Sequence, residues 1–447
     1  MSVYSAADSQ VVLTESRDYR SAMGFWIQTA AARQPERVAI EGPERSLTYA
    51  ELYRAALSAA GALARLGARD RAALALSSPE ELVIALHGCM LAGVAAVPVD
   101  LRLSEAERSA RLAGAEVVVS ESLGGDPAEP RSPAQSDPAV AVIHTSGTTG
   151  APKPVLLRRS NWLASALGSV VMLGLDQEER WLCPMPLVHV GGMSIPVRSA
   201  IYATTAVLHG RFDTETVLNE LMDPARRITL VSLVPTMLSR LLDAGLERPP
   251  VLRWALLGGG PIPEALLERA TAAGVPVAPT YGMTEACSQI ATFGWPLPGV
   301  ELVLAEGEVL VRGAIVSREA ADDDGWLHTG DLGSFDESGR LSIIGRSSET
   351  IVTGGENVSP VEVEEVLLGH PAVADAGVFG RADPEWGEAV VAVVVPRDGI
   401  AVAADELRAF CAARLAPFKV PKAIHFAEEL PRGQSGKMLR RALGGLV

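Results

Sequence analysis

Residues 139–155 read AVAVIHTSGTTGAPKPV. Ala139 to Ile143 form an apolar run of the length of a buried strand. The chain then enters a stretch of glycines and small hydroxyl side chains that ends in a lysine. Such a loop suits phosphate. Gly147 and Gly150 allow backbone N–H groups to converge on an anion, Thr145, Ser146, Thr148 and Thr149 add hydroxyl donors, and Lys153 adds positive charge. The loop is not a Walker A motif, because no Lys-Ser or Lys-Thr follows a G-x-x-x-x-G spacing. A solvated turn has the same composition, so taken alone the loop leaves both readings open.

Outward from this strand the chain alternates. Val38–Ile40 is strand-like, and Thr48 caps a helix that runs to about Leu66. Ala72–Leu76 reads as a strand, Glu80–Gly93 as a helix, and Ala95–Val99 and Ala115–Ser120 as strands. Strands at Ala206–Leu208, Leu230–Val234, Trp254–Leu257 and Val275–Pro279 continue the pattern. This βαβ rhythm predicts mostly parallel sheets flanked by helices, an α/β fold. Residues 124–138, rich in Pro, Gly, Ala and Asp, read as a surface linker. After Gly299 the texture becomes hairpin-like, with strands at Glu301–Leu304, Glu308–Arg312 and Leu341–Ile344. From Ser347 an α+β tail follows, with helices at Pro360–Leu368 and Ala404–Leu415 and strands at Val373–Phe379 and Ala389–Pro396. The expected division is a large N-terminal domain over residues 1–345, containing a β-rich subdomain, and a small α+β C-terminal domain over 346–447.

Composition narrows the function. A net charge of −15 over 447 residues argues against a general nucleic-acid binder. Cys89, Cys183, Cys287 and Cys411 are far apart with no metal-ligand spacing, so reduced thiols and a cytoplasmic location are expected. The first residues lack a signal-peptide pattern. The most apolar stretch, Val83 to Val99, is interrupted by His87, Gly88, Gly93 and Pro98, and no stable membrane insertion is expected.

Four further stretches carry chemistry-bearing residues. Ala255–Pro261 is a strand ending in Gly258, Gly259 and Gly260, where a flat ligand can approach the backbone; a plain strand-to-helix turn reads the same way. Thr280–Glu285 offers Tyr281 for stacking on a base, Thr284 for phosphate and Glu285 for a divalent cation, or else it is an ordinary loop. In Gly325–Asp331 the carboxylate of Asp331 can accept both hydroxyls of a ribose, though a β-turn aspartate is the commoner role. Pro431–Lys437 is a Gly/Ser loop near the C-terminus, by itself most like a frayed tail. Ligands in open α/β sheets gather at the carboxyl ends of strands, where the first two stretches and the phosphate loop end.

In this order, TSGTTGAPK, LLGGGP, YGMTE, GWLHTGDLG, Gly345-Arg346, GGENVSPVEVEEVL and PRGQSGK resemble the adenylate-forming superfamily of acyl-CoA synthetases, luciferases and adenylation domains. The resemblance runs from about Phe25 to Arg440. It implies ATP, Mg²⁺ and coenzyme A, and a two-step reaction. A carboxylate attacks the α-phosphate to give an acyl-adenylate and pyrophosphate, and a thiol then displaces AMP. It implies that Thr145, Ser146, Gly147, Thr148, Thr149 and Lys153 hold the terminal phosphates. Gly258, Gly259 and Gly260 would flank adenine, and Tyr281 would stack on it. Thr284 would touch the α-phosphate, Glu285 would hold Mg²⁺, and Asp331 and Arg346 would bind the ribose. Lys437 would stabilise charge during adenylation. The small domain would then rotate, bringing Gly354, Gly355, Glu356 and Asn357 to a pantetheine tunnel. Two departures stand out. Pro154 follows the loop lysine where the family usually has Gly, which removes one N–H donor, and the hinge position falls near Ser348.

The stretch from Pro184 to Tyr202 resembles one branch, the o-succinylbenzoate–CoA ligases of menaquinone synthesis, in its H-x-x-G-x-S-x-x-x-R-S-x-x-Y arrangement. The resemblance implies that Arg198 pairs with the second carboxylate of the substrate, that His189 lies between the acyl and CoA sites, and that Ser194, Ser288, Gln289 and Thr292 line the pocket. The alternatives are a ligase for another aryl or aliphatic acid, an enzyme loading a carrier protein, and a nucleotide-binding sensor. Residues 189–202 hold no acidic side chain to receive a substrate ammonium, which counts against amino-acid adenylation. The oligomeric state stays open, a homodimer included.

Overall fold

The computed structural model describes residues 25–131, 137–146, 152–384, 386–433 and 438–447. Thr48 opens the helix Tyr49–Arg65 with a reciprocal capping box to Glu51, and Ser104 does the same for Glu105–Leu112 with Glu107. Gly93, at φ +71°, ends Pro79–Ala92 in the left-handed conformation that only glycine adopts without strain.

Among the described residues the strands form four sheets. In the first, Arg71–Leu74 lies between Val117–Val119 and Ala95–Pro98, all parallel, followed by Ala139–Ser146 and then Pro152–Arg158. The last pair is antiparallel, with Thr145 opposite Lys153 and His144 opposite Pro154. The described flanks of the phosphate-loop stretch therefore pair as antiparallel strands, and the strand after it was not anticipated. The second sheet has nine strands. Its parallel centre runs Val277–Met283, Trp254–Leu257, Leu230–Leu233, Arg180–Cys183, Thr205–Leu208, Val38–Glu41, and antiparallel strands flank it at both edges. The third is an antiparallel meander of Val300–Ala305, Glu308–Gly313, Leu327–Phe335 and Leu341–Arg346. The fourth, C-terminal sheet pairs Val373–Asp383 with Gly387–Pro396 and adds Ile351–Thr353, Glu356–Val358 and Ala423–Phe426. The helix Pro360–Leu368 has the bounds read from sequence.

Residues 124–131 run over the surface as the linker reading expects, but they are held. Arg65 donates to the carbonyls of Gly124 and Asp126, and Ala128 N–H donates to Leu57. No helix among the described residues is long and apolar enough to cross a membrane.

The helix Pro79–Ala92 is buried nearly all round, which explains why apolar residues occur on every side of it. It carries His87, 1% exposed, whose two ring nitrogens find no partner among the described residues. Burial holds His87 at a pKa of about 4, below its ordinary value of 6.5. The native state therefore binds fewer protons than the unfolded chain between these values. The stability that neutral His87 permits is present above pH 6.5 and is lost as pH falls toward 4. The loss approaches about 3 kcal/mol. We expect denaturant midpoints of the wild type to fall between pH 7 and pH 5, and His87→Leu to flatten that slope. An unchanged slope would show that His87 does not control it.

Candidate active site

The best-formed part of the site lies where the antiparallel meander meets the nine-stranded sheet. Asp331 sits within the strand Leu327–Phe335, not in a turn, and is 6% exposed. Its register partner across the ladder is Arg346, whose Nε donates to Asp331 Oδ1 at 2.8 Å. Tyr281 Oη donates to the other oxygen, Oδ2, at 2.8 Å. The Asp331 N–H donates to Thr329 Oγ1 at 3.0 Å, and Thr329 is anchored by donating to the Val309 carbonyl at 2.7 Å. A carboxylate has about four acceptor positions. Two are taken by Arg346 and Tyr281, which leaves two for a vicinal diol. Burial, reinforced by the Asp331 charge, pushes the Tyr281 hydroxyl well above the usual phenol range, so it stays a neutral donor. Tyr281 was expected in a loop. Instead the strand Val277–Met283 continues through it, paired antiparallel with Ser288–Thr292.

The three glycines after Trp254–Leu257 have separate reasons. A Cβ on Gly258 would lie 2.7 Å from both the Thr280 carbonyl oxygen and Thr280 Cγ2, so glycine is needed there for strand packing. Gly259 is at φ +82°. Only at Gly260 would a Cβ meet nothing within 4 Å, which is the open ledge a flat ligand requires. Thr284 and Glu285 lie on the single 3₁₀ turn Thr284–Ala286, just beyond Tyr281. That turn is pinned by Ser317 N–H donating to the Glu285 carbonyl at 2.8 Å. Among the described residues no group of three His, Cys, Asp or Glu side chains is placed to hold a metal. A lone carboxylate fits Mg²⁺, which is held by one or two carboxylates together with substrate phosphates.

Arg198 lies on the helix Val190–Tyr202 and is 1% exposed. Its Nη2 donates to Ser165 Oγ at 2.8 Å, and its guanidinium carbon lies 5.8 Å from the centre of the Trp181 ring. Nε and Nη1 have no partner among the described residues, and no carboxylate pairs with it there. Burial lowers its pKa, yet a guanidinium remains protonated, so the protein holds a buried and under-satisfied cation. Such an arrangement is costly unless an anion completes it.

His189 caps the N-terminus of the same helix. With His144, Asp100 and Arg111 it lines a cleft at the carboxyl ends of Ala95–Pro98 and Ala139–Ser146. Burial pushes His189 below its ordinary pKa, the Asp100 charge pulls it partly back, and its Nε2 has no partner among the described residues. Asp100 is itself clamped by Arg102, through Nε at 2.9 Å and Nη2 at 2.7 Å.

Other expected residues are placed differently. The Ser194 hydroxyl donates to the Gly191 carbonyl at 2.8 Å within its own helix. Gln289 donates to Thr292 Oγ1 at 2.9 Å, and Thr292 in turn meets Thr280 Oγ1 at 3.1 Å, a network beneath the glycine ledge. Ser288 is at φ +89° in the strand edge beside Gly282. Gly354 and Gly355, at φ +60° and +85°, form the two-residue turn of the Ile351–Val358 hairpin, with Glu356 and Asn357 exposed beside them. No hydrogen bond among the described residues joins this turn to the Asp331 cluster. Thr145 and Lys153 face each other across the hairpin of the phosphate loop, with the Lys153 side chain exposed. Gly147, Thr148, Thr149 and Lys437 lie outside the described residues, as does the Ser146 side chain. Sequence reading missed Ser165, Trp181, Asp100 and Thr329. Ser165 and Trp181 become visible only when elements distant in sequence pack against the site, whereas Asp100 and Thr329 lie beside a strand and a motif already read.

The family profile described as "AMP-binding enzyme" matches residues 27–121 and 118–319, and its C-terminal domain counterpart matches residues 362–437. The chain is 40% identical over 475 residues to the 2-succinylbenzoate–CoA ligase of Bacillus licheniformis, covering 94% of this chain and 98% of that one. Among solved structures, o-succinylbenzoate CoA synthetase of Bacillus subtilis with its acyl-adenylate intermediate superposes with a TM-score of 0.87 at 36% identity, covering 94% and 97% of the two chains. The same enzyme with ATP and magnesium gives 0.86 at 37% identity, covering 94% and 99%. A double mutant of it bound to a product analogue gives 0.69 at 37% identity, with coverage of 94% and 97%.

Proposed function

This chain belongs to the AMP-binding enzyme family, and from that premise we propose that it is an AMP-forming acid–CoA ligase that converts o-succinylbenzoate to its CoA thioester in menaquinone synthesis. The observation that carries the choice of acid is the buried guanidinium of Arg198 with two unpartnered nitrogens. o-Succinylbenzoate has two carboxylates, of which only the succinyl one is activated. The ring carboxylate needs a cationic partner in an apolar wall, and Arg198 is such a partner.

In the first half-reaction a succinyl carboxylate oxygen attacks the α-phosphorus of ATP and pyrophosphate departs. Asp331 and Arg346 hold the ribose while Tyr281 and the ledge at Gly260 hold the adenine. Thr284 lies at the α-phosphate. Thr145, Ser146, Gly147, Thr148, Thr149 and Lys153 grip the outgoing phosphates, and Glu285 holds Mg²⁺, which when bound neutralises phosphate charge. Lys437 adds charge where the transition state is most negative. In the second half-reaction the CoA sulfur attacks the acyl carbon and AMP leaves. The boundary at 345–346 lies in the last two residues of the final meander strand, Leu341–Arg346, and the small domain turns just beyond it, near Ser348, bringing Gly354, Gly355, Glu356 and Asn357 to the thiol's path past His189. The higher TM-score against the acyl-adenylate complex than against the product-analogue complex, 0.87 against 0.69, supports an adenylation-like arrangement here.

ATP–pyrophosphate exchange tests this reading. Exchange is expected with o-succinylbenzoate and Mg²⁺, and the thioester is expected by mass spectrometry once CoA is added. No pyrophosphate release across a broad panel of acids would defeat the ligase reading, and exchange with other acids alone would defeat the choice of acid.

A further inference from the structure

Ser165 is wholly buried on the inner face of the helix Arg159–Leu173. A serine inside a helix commonly turns its hydroxyl back to a carbonyl of the preceding turn. This one does not. It donates to the carbonyl of Cys287 at 2.7 Å, 122 residues away, and accepts from Arg198 Nη2 at 2.8 Å. A hydroxyl has one hydrogen, and committing it to a backbone carbonyl turns a lone pair toward the guanidinium. Cys287 is itself placed directly after the turn that carries Thr284 and Glu285, its N–H donating to the Thr284 carbonyl at 3.0 Å. The chain from Arg198 through Ser165 to Cys287 therefore fixes one corner of the guanidinium against the backbone and leaves Nε and Nη1 free.

We infer that Ser165 is a positioning residue for the second carboxylate of the acid, setting Arg198 so that its unpartnered nitrogens face the substrate. This deepens the reading of Arg198 given above and rests on it. Loss of the hydroxyl removes a hydrogen bond to a charged group and lets the guanidinium relax away from the substrate. The nucleotide side keeps its own anchor, the Ser317 N–H on the Glu285 carbonyl.

The test compares two acids, o-succinylbenzoate and benzoylpropionate, the same keto acid without the ring carboxylate. Ser165→Ala is expected to raise KM for o-succinylbenzoate about tenfold, with kcat, KM for ATP and KM for benzoylpropionate little changed. Ser165→Cys, closer in volume, gives the same split if Ser165→Ala fails to fold, and Ser165→Thr, which restores a hydroxyl, recovers the wild-type ratio. Equal rises for both acids, a rise in KM for ATP of the same size, or no rise would overturn the inference. If the wild type forms no thioester with o-succinylbenzoate, the underlying reading of the substrate fails first and takes this inference with it.

Discussion

Lys437→Ala is expected to slow acyl-adenylate formation by at least about a hundredfold to a thousandfold, the usual effect of removing one charge aimed at a developing oxyanion. Thioester formation from supplied acyl-adenylate should stay near the wild-type rate. The asymmetry follows from the two steps. Only the first builds negative charge on phosphorus, and in the second the adenylate is already made. Lys437 lies outside the described residues, but both sides of its loop are in place. Arg432 and Met438 face each other in an antiparallel bridge, and Leu439 N–H donates to the Pro431 carbonyl at 2.8 Å. Arg432 pairs with Asp375 at 2.6 Å. Arg440 is gripped by Glu364 and by Glu349, the latter at 3.0 Å, and Glu349 directly follows the expected hinge at Ser348. The residues that flank 434–437 are thus anchored within the C-terminal domain. Rapid-quench measurement of each half-reaction checks the asymmetry. Equal losses in both halves would rule out a lysine that serves adenylation alone.

How far the sequence could be read depended on whether the signal was local. The capped helices, the apolar strands of the parallel sheets and the helix Pro360–Leu368 were legible because caps and periodicity act over a few residues. The strand Leu327–Phe335 was not. Gly330, Asp331 and Gly333 have poor strand propensity, and pairing on both sides with Glu308–Gly313 and Leu341–Arg346 overrides it. That override turns Asp331 from a turn residue into a buried acceptor opposite Arg346. The strand Pro152–Arg158 was hidden in the same way by its two prolines, which a hairpin edge tolerates. At the site, Tyr281, Asp331 and Arg346 could be named from motifs, but their joining into one hydrogen-bonded cluster could not. Ser165 had no signal at all, because its partners are 33 and 122 residues away.

Arg198→Met should separate function from stability in the proposed acid pocket. Methionine keeps much of the side chain's length and apolar contact, so the change mainly deletes charge and donors. With o-succinylbenzoate, losing a buried charge-assisted partner costs about 2–4 kcal/mol, a rise in KM of about thirtyfold to a thousandfold. Benzoylpropionate has no ring carboxylate to strand, and its KM should change by about threefold or less. The acid-free protein should move the other way. Arg198 is buried with Nε and Nη1 unpartnered among the described residues, and replacing this under-satisfied cation by an apolar side chain should stabilise the protein on the scale of about 1–4 kcal/mol found when buried ionic groups are exchanged for apolar ones. Denaturant titration without ligand should then show a higher midpoint for the N-terminal domain, and adding o-succinylbenzoate should stabilise the wild type but not the variant. A wall that carries a destabilising cation until its ligand arrives predicts both shifts together. If Arg198→Met unfolds more easily and the two acids lose affinity alike, Arg198 holds the helices together and the second carboxylate is received elsewhere.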